Sequence, residues 1–170
     1  MLEKKEIVVV NSTPMISLGS IAQLQIFRKL YGEIKIPQAV FREVMSKDDF
    51  AFQQLLDNLS WIKVEKCPDF DCNSFSKKLH DGEVEAIVLA QTINADVIVL
   101  DDNDARKTAK KLGLNLMGTI GILLRAKHFG FLDAVKPVID TIRKNNFYLS
   151  DKILDTALKI AGETSQTEQS

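Results

Sequence analysis

Cysteine is nearly missing from this chain of 170 residues: Cys67 and Cys72, in the string CPDFDC, are all it has. Two thiols cannot make a disulfide framework, and they fall short of a structural zinc site unless two further Cys or His stand nearby. The two histidines, His80 and His128, lie beside expected helix ends and have no metal-ligand spacing. An excess of either charge is also lacking, since 22 basic residues face 23 acidic ones for a net charge of −1. No overall field therefore announces nucleic acid, and any such binding must come from a local patch. No apolar run approaches the roughly 20 residues of a membrane span, and the charged start Met1 to Glu6 has no signal-peptide core behind it. The chain is accordingly expected in the cytoplasm. The phosphate loop G-x-x-x-x-G-K-[ST] does not occur, and GTIG at 118–121 lacks the third glycine and the acid of a dinucleotide fingerprint. No internal repeat or long linker divides the chain. With 45% hydrophobic and 26% charged residues it can bury one core without staples.

What is present is an alternation of strand and helix signals. Ile7 to Val10 reads as a β-branched strand ended by Asn11, Ser12, Thr13 and Pro14, which cap a helix carrying Ile21, Leu24, Phe27 and Leu30 at helical spacing. A strand at Ile34 to Ile36 leads through Pro37 into a helix with Val40, Phe41, Val44 and Met45 on its stripe. Phe50 to Leu59 is helical, Trp61 to Val64 extended, and Asp81 and Gly82 open a helix to Ile93. Val97 to Leu100 is a strand, Asp104 to Leu112 a helix stopped by Gly113, and Leu114 to Met117 a strand before a helix through Lys127. Amphipathic helices near Leu132 to Lys144 and Ser150 to Ala161 close the chain. The rhythm predicts a single-domain three-layer α/β/α fold over residues 1–162, with a mostly parallel central sheet and C-terminal helices. Residues 163–170 read as a polar tail expected to be disordered.

The most informative stretch is ADVIVLDDNDAR, Ala95 to Arg106. Its strand has no polar alternation, as in a parallel sheet buried on both faces, and it delivers Asp101 and Asp102 to the carboxyl edge where ligands of such sheets bind. Asn11 ends the first strand in the same way, so the three share a crevice if those strands are neighbours, although an asparagine at such a place is by itself more often a helix cap. At 100° per residue, Glu83 falls inside the arc of Val84, Ala86, Ile87 and Ala90, whereas Glu85 lies on the far side with Thr92. An acid aimed at apolar neighbours must be compensated. Glu43 flanks its helix stripe and by itself reads as a solvated acid. Carboxylates within ~5 Å repel by about 3 kcal/mol per pair at an effective dielectric of 20, so a cluster must protonate or hold a divalent cation. Oxygen ligands select Mg²⁺ or Mn²⁺ over zinc and suit activation of water for phosphodiester hydrolysis.

Cations crowd this region as Arg106, Lys107, Lys110 and Lys111, and Arg125, Lys127 and His128 end the next helix. They are candidates for gripping a phosphate backbone, or solvated helix faces in which Lys110 and Lys111 meet the dipole. Ser12, Thr13 and Thr119 are candidate donors to phosphate, or simple caps. A phosphoacceptor receiver domain also clusters acids, but it would want them after the first strand, where this chain has only Asn11.

The pieces in their order resemble the PIN domain, the nuclease fold of VapC toxins, and in particular its branch with a GExEAI string and a strand ending in DD. The matching strings are VVVNSTPMISL (Val8 to Leu18), IPQAVFREV (Ile36 to Val44), HDGEVEAIVLA (His80 to Ala90), VIVLDDNDARKTAKKLGL (Val97 to Leu114) and MGTIGILLRAKHFG (Met117 to Gly130), which span most of the chain. The resemblance implies a PIN-like fold, hydrolysis of RNA with Mg²⁺ or Mn²⁺, and a metal set of Asn11, Glu43, Glu83, Asp101 and Asp102. Glu43, Glu83, Asp101 and Asp102 would be the catalytic acids, with Asp102 the closer match to the last one. Ser12, Thr13, Arg106, Lys107 and Thr119 are the expected substrate contacts, RNA and a small antitoxin the expected partners, and a homodimer the expected state. Asn11 departs from the pattern: the resemblance places an acid there, and a neutral amide removes one charge from the site. A PIN-fold module that binds RNA or protein with little or no catalysis is the alternative.

Overall fold

Val8, Val9 and Val10 offer no polar face, and neither do Val97, Ile98 and Val99; the structure buries both runs completely between helix layers. The computed structural model describes residues 4–47 and 49–164. Strands β1 (Val8–Val10), β2 (Ile34–Pro37), β3 (Ile62–Glu65), β4 (Val97–Val99) and β5 (Leu116–Met117) form one sheet in the order β3-β2-β1-β4-β5. Each pairing in it is parallel.

Between the strands run α1 (Ser12–Gly19), α2 (Gln25–Tyr31), α3 (Gln38–Ser46), α4 (Phe50–Asp57), α5 (Asp81–Thr92) and α6 (Asn103–Lys111). After the last strand come α7 (Thr119–His128), α8 (Lys136–Lys144) and α9 (Asp151–Ala161). Successive side chains of a strand point to opposite faces, and β1 divides its valines accordingly. Val8 and Val10 join a core with Phe27, Leu18, Ile122 and Ile139, whereas Val9 joins Ile98, Leu100, Ile87 and Ala105 on the other side. Full burial of one such side chain contributes about 1.5–3 kcal/mol. These two cores make the three layers, α5 and α6 covering one face.

Chain direction along the sheet reverses at β1: β2 and β3 are added on one side of it, β4 and β5 on the other. The carboxyl ends of β1 and β4 therefore flank the topological switch point, where connections diverge and leave a crevice. The register Val8/Val97, Val9/Ile98, Val10/Val99 continues into a bond from the Asn11 N–H to the Val99 carbonyl (3.0 Å), which brings Asn11 level with the start of Leu100-Asp101-Asp102.

Some boundaries differ from the sequence expectation. The helix expected to carry Ile21 to Leu30 is two helices, because the chain turns between Ser20 and Leu24 with Ala22 at φ +58°, closed by the Gln23 N–H on the Leu18 carbonyl. The last strand starts at Leu116 and α8 at Lys136, each later than periodicity indicates. Glu163, assigned to the tail, belongs with the domain: its carboxylate accepts from Lys127 Nζ and the Val135 N–H (both 2.8 Å) and from the Lys136 N–H (3.0 Å). The rest of the expected tail, 165–170, lies outside the described residues. Among the described residues no helix is long and apolar enough to cross a membrane.

Candidate active site

A cleft of about 860 Å³ opens at the switch point, and Asn11, Glu43, Glu83, Asp101 and Asp102 all line it. Each arrives from a different place. Asn11 follows β1, Glu43 lies on the second turn of α3, Glu83 in the first turn of α5, and Asp101 and Asp102 precede α6.

A local hydrogen bond holds every carboxylate in place. Ser12 Oγ donates to Glu43 Oε2 at 2.5 Å, which turns an exposed helix acid toward the cleft. The His80 N–H donates to Glu83 Oε2 at 3.0 Å, a bond that also satisfies an orphan donor at the start of α5. Asp102 caps α6 by accepting from the Ala105 N–H at 2.9 Å, one oxygen remaining for other use. Gly82 makes the Glu43 approach possible, since a Cβ there would stand 3.1 Å from Ser12 Oγ and 3.2 Å from Glu43 Oε2.

Glu83 is 7% exposed. Burial pushes its carboxyl above the ordinary range; the bond from His80 and the imidazole's charge oppose this, while Asp102 and Glu43 add to it. The three acids thus feel one another. Glu85 has a different environment from the one its projection indicates. Most of α5 is buried on every side, and Glu85 accepts from the Ala39 N–H (3.3 Å) and pairs with Arg42 (3.6 Å), so it anchors α3.

Asp101 and Asp102 are unlike each other. Both oxygens of Asp101 are engaged by Thr119, through its N–H on Oδ1 (2.8 Å) and its Oγ on Oδ2 (2.5 Å). Burial raises the Asp101 carboxyl, opposed by the two Thr119 bonds and by Arg106. A Cβ on Gly118 would come within 3.0 Å of Asp101 Oδ1, so glycine is what lets the start of α7 close on this carboxylate. Asp101 therefore ties α7 to β4 while still lining the cleft; each of its oxygens keeps a lone pair, and Asp102, with one oxygen free of hydrogen bonds, is the less encumbered of the two as a metal ligand. The expected substrate contact of Thr119 is corrected: it is fully buried with both donors spent on Asp101. Ser12, also buried, orients Glu43 instead of meeting substrate directly.

Of the other expected contacts, Thr13 is exposed and lines the cleft. Arg106 lines it too, but its Nη1 is committed to the Leu100 carbonyl at 2.7 Å. Lys107 borders an adjoining groove with Arg106 and Lys110. Neither Arg125 nor Lys127 lines the cleft: they lie about 9 and 12 Å along α7 from its start, and Arg125 borders a separate pocket with Tyr31 and Phe129. There Arg125 pairs with Glu6 (3.1 Å) and Lys127 with Glu163. Neither cysteine takes part: Cys67 is half-buried, and burial together with Glu85 and Asp69 pushes its thiol up to about 11.

Asn11 is 2% exposed, makes no side-chain cap bond to α1, and its Oδ1 is buried without a hydrogen-bond partner among the described residues. The capping reading of Asn11 is thereby overturned. A buried amide oxygen left bare costs about 1–3 kcal/mol, and beside acids it suits a hard cation that takes oxygen ligands. Among the described residues no three Asp, Glu, His or Cys side chains already converge as a metal cage, because each acid leans on its own donor. The donor set of Asn11, Glu43, Glu83 and Asp102 nevertheless fits Mg²⁺ or Mn²⁺ in kind, all oxygen and net negative.

Other lining residues were not marked by the sequence. His80 and Asn103 border the acids, and the 146–150 connector between α8 and α9 brings Tyr148 to the rim. A cap position signals His80, but nothing local signals Tyr148.

A parallel α/β/α sandwich with carboxylates gathered at the switch point of β1 and β4 is the architecture of a PIN-type domain. The chain belongs to the PIN domain family, whose model matches residues 7–163; members are generally divalent-metal-dependent nucleases. Among solved structures, it is similar to a PilT N-terminus domain protein from the hyperthermophilic archaeon Sulfolobus solfataricus P2. That match has 21% identity and a TM-score of 0.52 over 71% of this chain and 92% of the other, a likeness of fold. No curated protein matches the chain significantly.

Proposed function

We propose that this PIN domain is a Mg²⁺- or Mn²⁺-dependent endoribonuclease. The observation that carries the reading is the bare, buried Oδ1 of Asn11 in a cleft it shares with Glu43, Glu83 and Asp102. Those four residues would hold the ion; when bound it supplies neutralisation of phosphate charge and activation of water for attack on phosphorus. The protein's own groups position the chemistry. Ser12 aims Glu43, the His80 N–H aims Glu83, and the N-terminus of α6 fixes Asp102. Asp101 and Thr119 lock α7 against β4 so that the cleft floor does not shift. Arg106 and Thr13 offer donors at the rim for phosphate oxygens.

Cleavage of an RNA panel by purified protein tests this. Activity that requires Mn²⁺ or Mg²⁺ and disappears in Glu83→Gln supports it; full activity in the presence of a chelator, or in Glu83→Gln, refutes it. The neutral Asn11 favours a second reading, a binding module with weak or no catalysis. RNA binding without metal-dependent cleavage by the wild type decides for that one. A toxin role with a small antitoxin partner and a homodimeric state belongs to the same proposal, and native mass with and without the product of an adjacent short reading frame tests it.

A further inference from the structure

Tyr148 is 89% exposed, which leaves a large aromatic face open to solvent. It is not on a loose loop. On one side Phe147 packs against the core and its N–H donates to the Ile142 carbonyl (3.2 Å); on the other Leu149 is buried and Ser150 caps α9 through the Ile153 N–H (3.3 Å). The backbone therefore presents the ring from anchored neighbours at the lip of the acidic cleft. Ile153, 51% exposed, lies in the first turn of α9 and lines the same cleft, so the lip is an apolar ledge.

Opposite chemistry continues the cleft elsewhere. Arg106 and Asn103 line both it and an adjoining groove that includes Lys107 and Lys110. An acidic floor repels phosphates, which then need cations nearby, whereas an uncharged planar base needs an aromatic face. The surface supplies both.

We infer that Tyr148 is a stacking platform for one unpaired base of the bound RNA, placed across the cleft from the Arg106, Lys107 and Lys110 groove that takes its phosphates. This rests on the ribonuclease reading and adds a substrate contact to it. Pairing in an A-form duplex hides the base faces, so only a single strand or open loop can use the ring. Stacking of this kind tolerates any base, so little sequence preference is expected from Tyr148 itself.

The test is binding of a fluorescent single-stranded oligoribonucleotide, and of its duplex, to the full-length protein in EDTA, where nothing is cleaved. Tyr148→Ala should weaken single-strand binding by about 5- to 150-fold, as expected for loss of one stacked base, and leave duplex binding and Tm unchanged. Tyr148→Phe should bind like wild type. A 2-aminopurine placed in the strand should be quenched by wild type and by Tyr148→Phe but not by Tyr148→Ala. Lys107→Ala should weaken single strand and duplex alike and flatten the salt dependence. Equal single-strand affinity of Tyr148→Ala and wild type overturns the inference, as does an equal loss on both nucleic acids or no binding of RNA by wild type. The two readings fail separately. Metal-dependent cleavage with an unchanged KM in Tyr148→Ala removes the stacking role alone, whereas Tyr148-dependent binding without any cleavage removes the nuclease reading alone.

Discussion

Replacing Thr119 by Val deletes a single donor and separates the roles of the two adjacent aspartates. Thr119 is fully buried, and the variant keeps its backbone bond to Asp101 Oδ1 while losing the 2.5 Å bond from Oγ to Oδ2. A hydrogen bond to a charged acceptor contributes about 1.5–3 kcal/mol. Asp101 is only half-buried and water recovers part of this, so a loss of about 2 kcal/mol is expected at pH 7.5. For a domain of this size that is a fall in Tm of about 4–8 °C. The pH dependence has a definite sign. Burial already holds the Asp101 carboxyl above its ordinary 3.8, and removing an opposing bond lifts it further. Between the unfolded and folded values the native state binds the extra proton, so stability falls as pH rises through that window and returns as pH drops below it. The Thr119→Val penalty should be largest near neutrality and shrink toward pH 4. Asp102→Asn should behave oppositely. Asparagine still caps α6, so metal-free Tm should not fall, but the stabilisation by Mn²⁺, about 2.7 kcal/mol at a hundredfold excess over Kd, should be lost. Thermal unfolding at pH 7.5 and 4.5, with and without Mn²⁺, measures all of this. A penalty equal at both pH values, or a Mn²⁺ shift lost in Thr119→Val and kept in Asp102→Asn, would refute the division of roles.

Glu83→Gln should raise the Tm of the metal-free protein at pH 7.5, because it removes a desolvated charge that Asp102 and Glu43 also disfavour. The gain should vanish as pH falls through the raised folded value toward 4.5, where the wild-type carboxyl carries its own proton; a gain independent of pH would contradict this. Asn11→Asp places a charge at a site only 2% exposed, which should lower metal-free stability, by about 3 kcal/mol for one acid ~5 Å away at an effective dielectric of 20. Mn²⁺ should reverse the loss and bind more tightly than to wild type. Identical Mn²⁺ titrations of the two proteins would exclude Asn11 as a ligand.

Much of the frame is readable in one dimension. Runs such as VVV and VIV, without polar alternation, report burial on both faces and hence a parallel sheet, and the polar residues that follow them, Asn11 and Asp101-Asp102, must lie at its carboxyl edge. The inward phase of Glu83 is a property of its own helix, as periodicity correctly indicates. Other assignments depend on partners that local pattern does not contain. Glu43 looks like a surface acid until Ser12, 31 residues earlier, turns it into the cleft. Asp101 and Asp102 look equivalent until Thr119, 18 residues after Asp101, occupies both oxygens of the first. Asn11 looks like a cap until its oxygen is found bare, and Arg125 looks close to the acids until the length of α7 carries it away. Tyr148 reaches the rim only because α8 and α9 pack on the core so that their connector lines the cleft. Propensity and periodicity act over a turn or a strand, so they determine each element and its buried face. Sheet order and helix length decide which side chains meet across elements, and the chemistry of this cleft is set at those meetings.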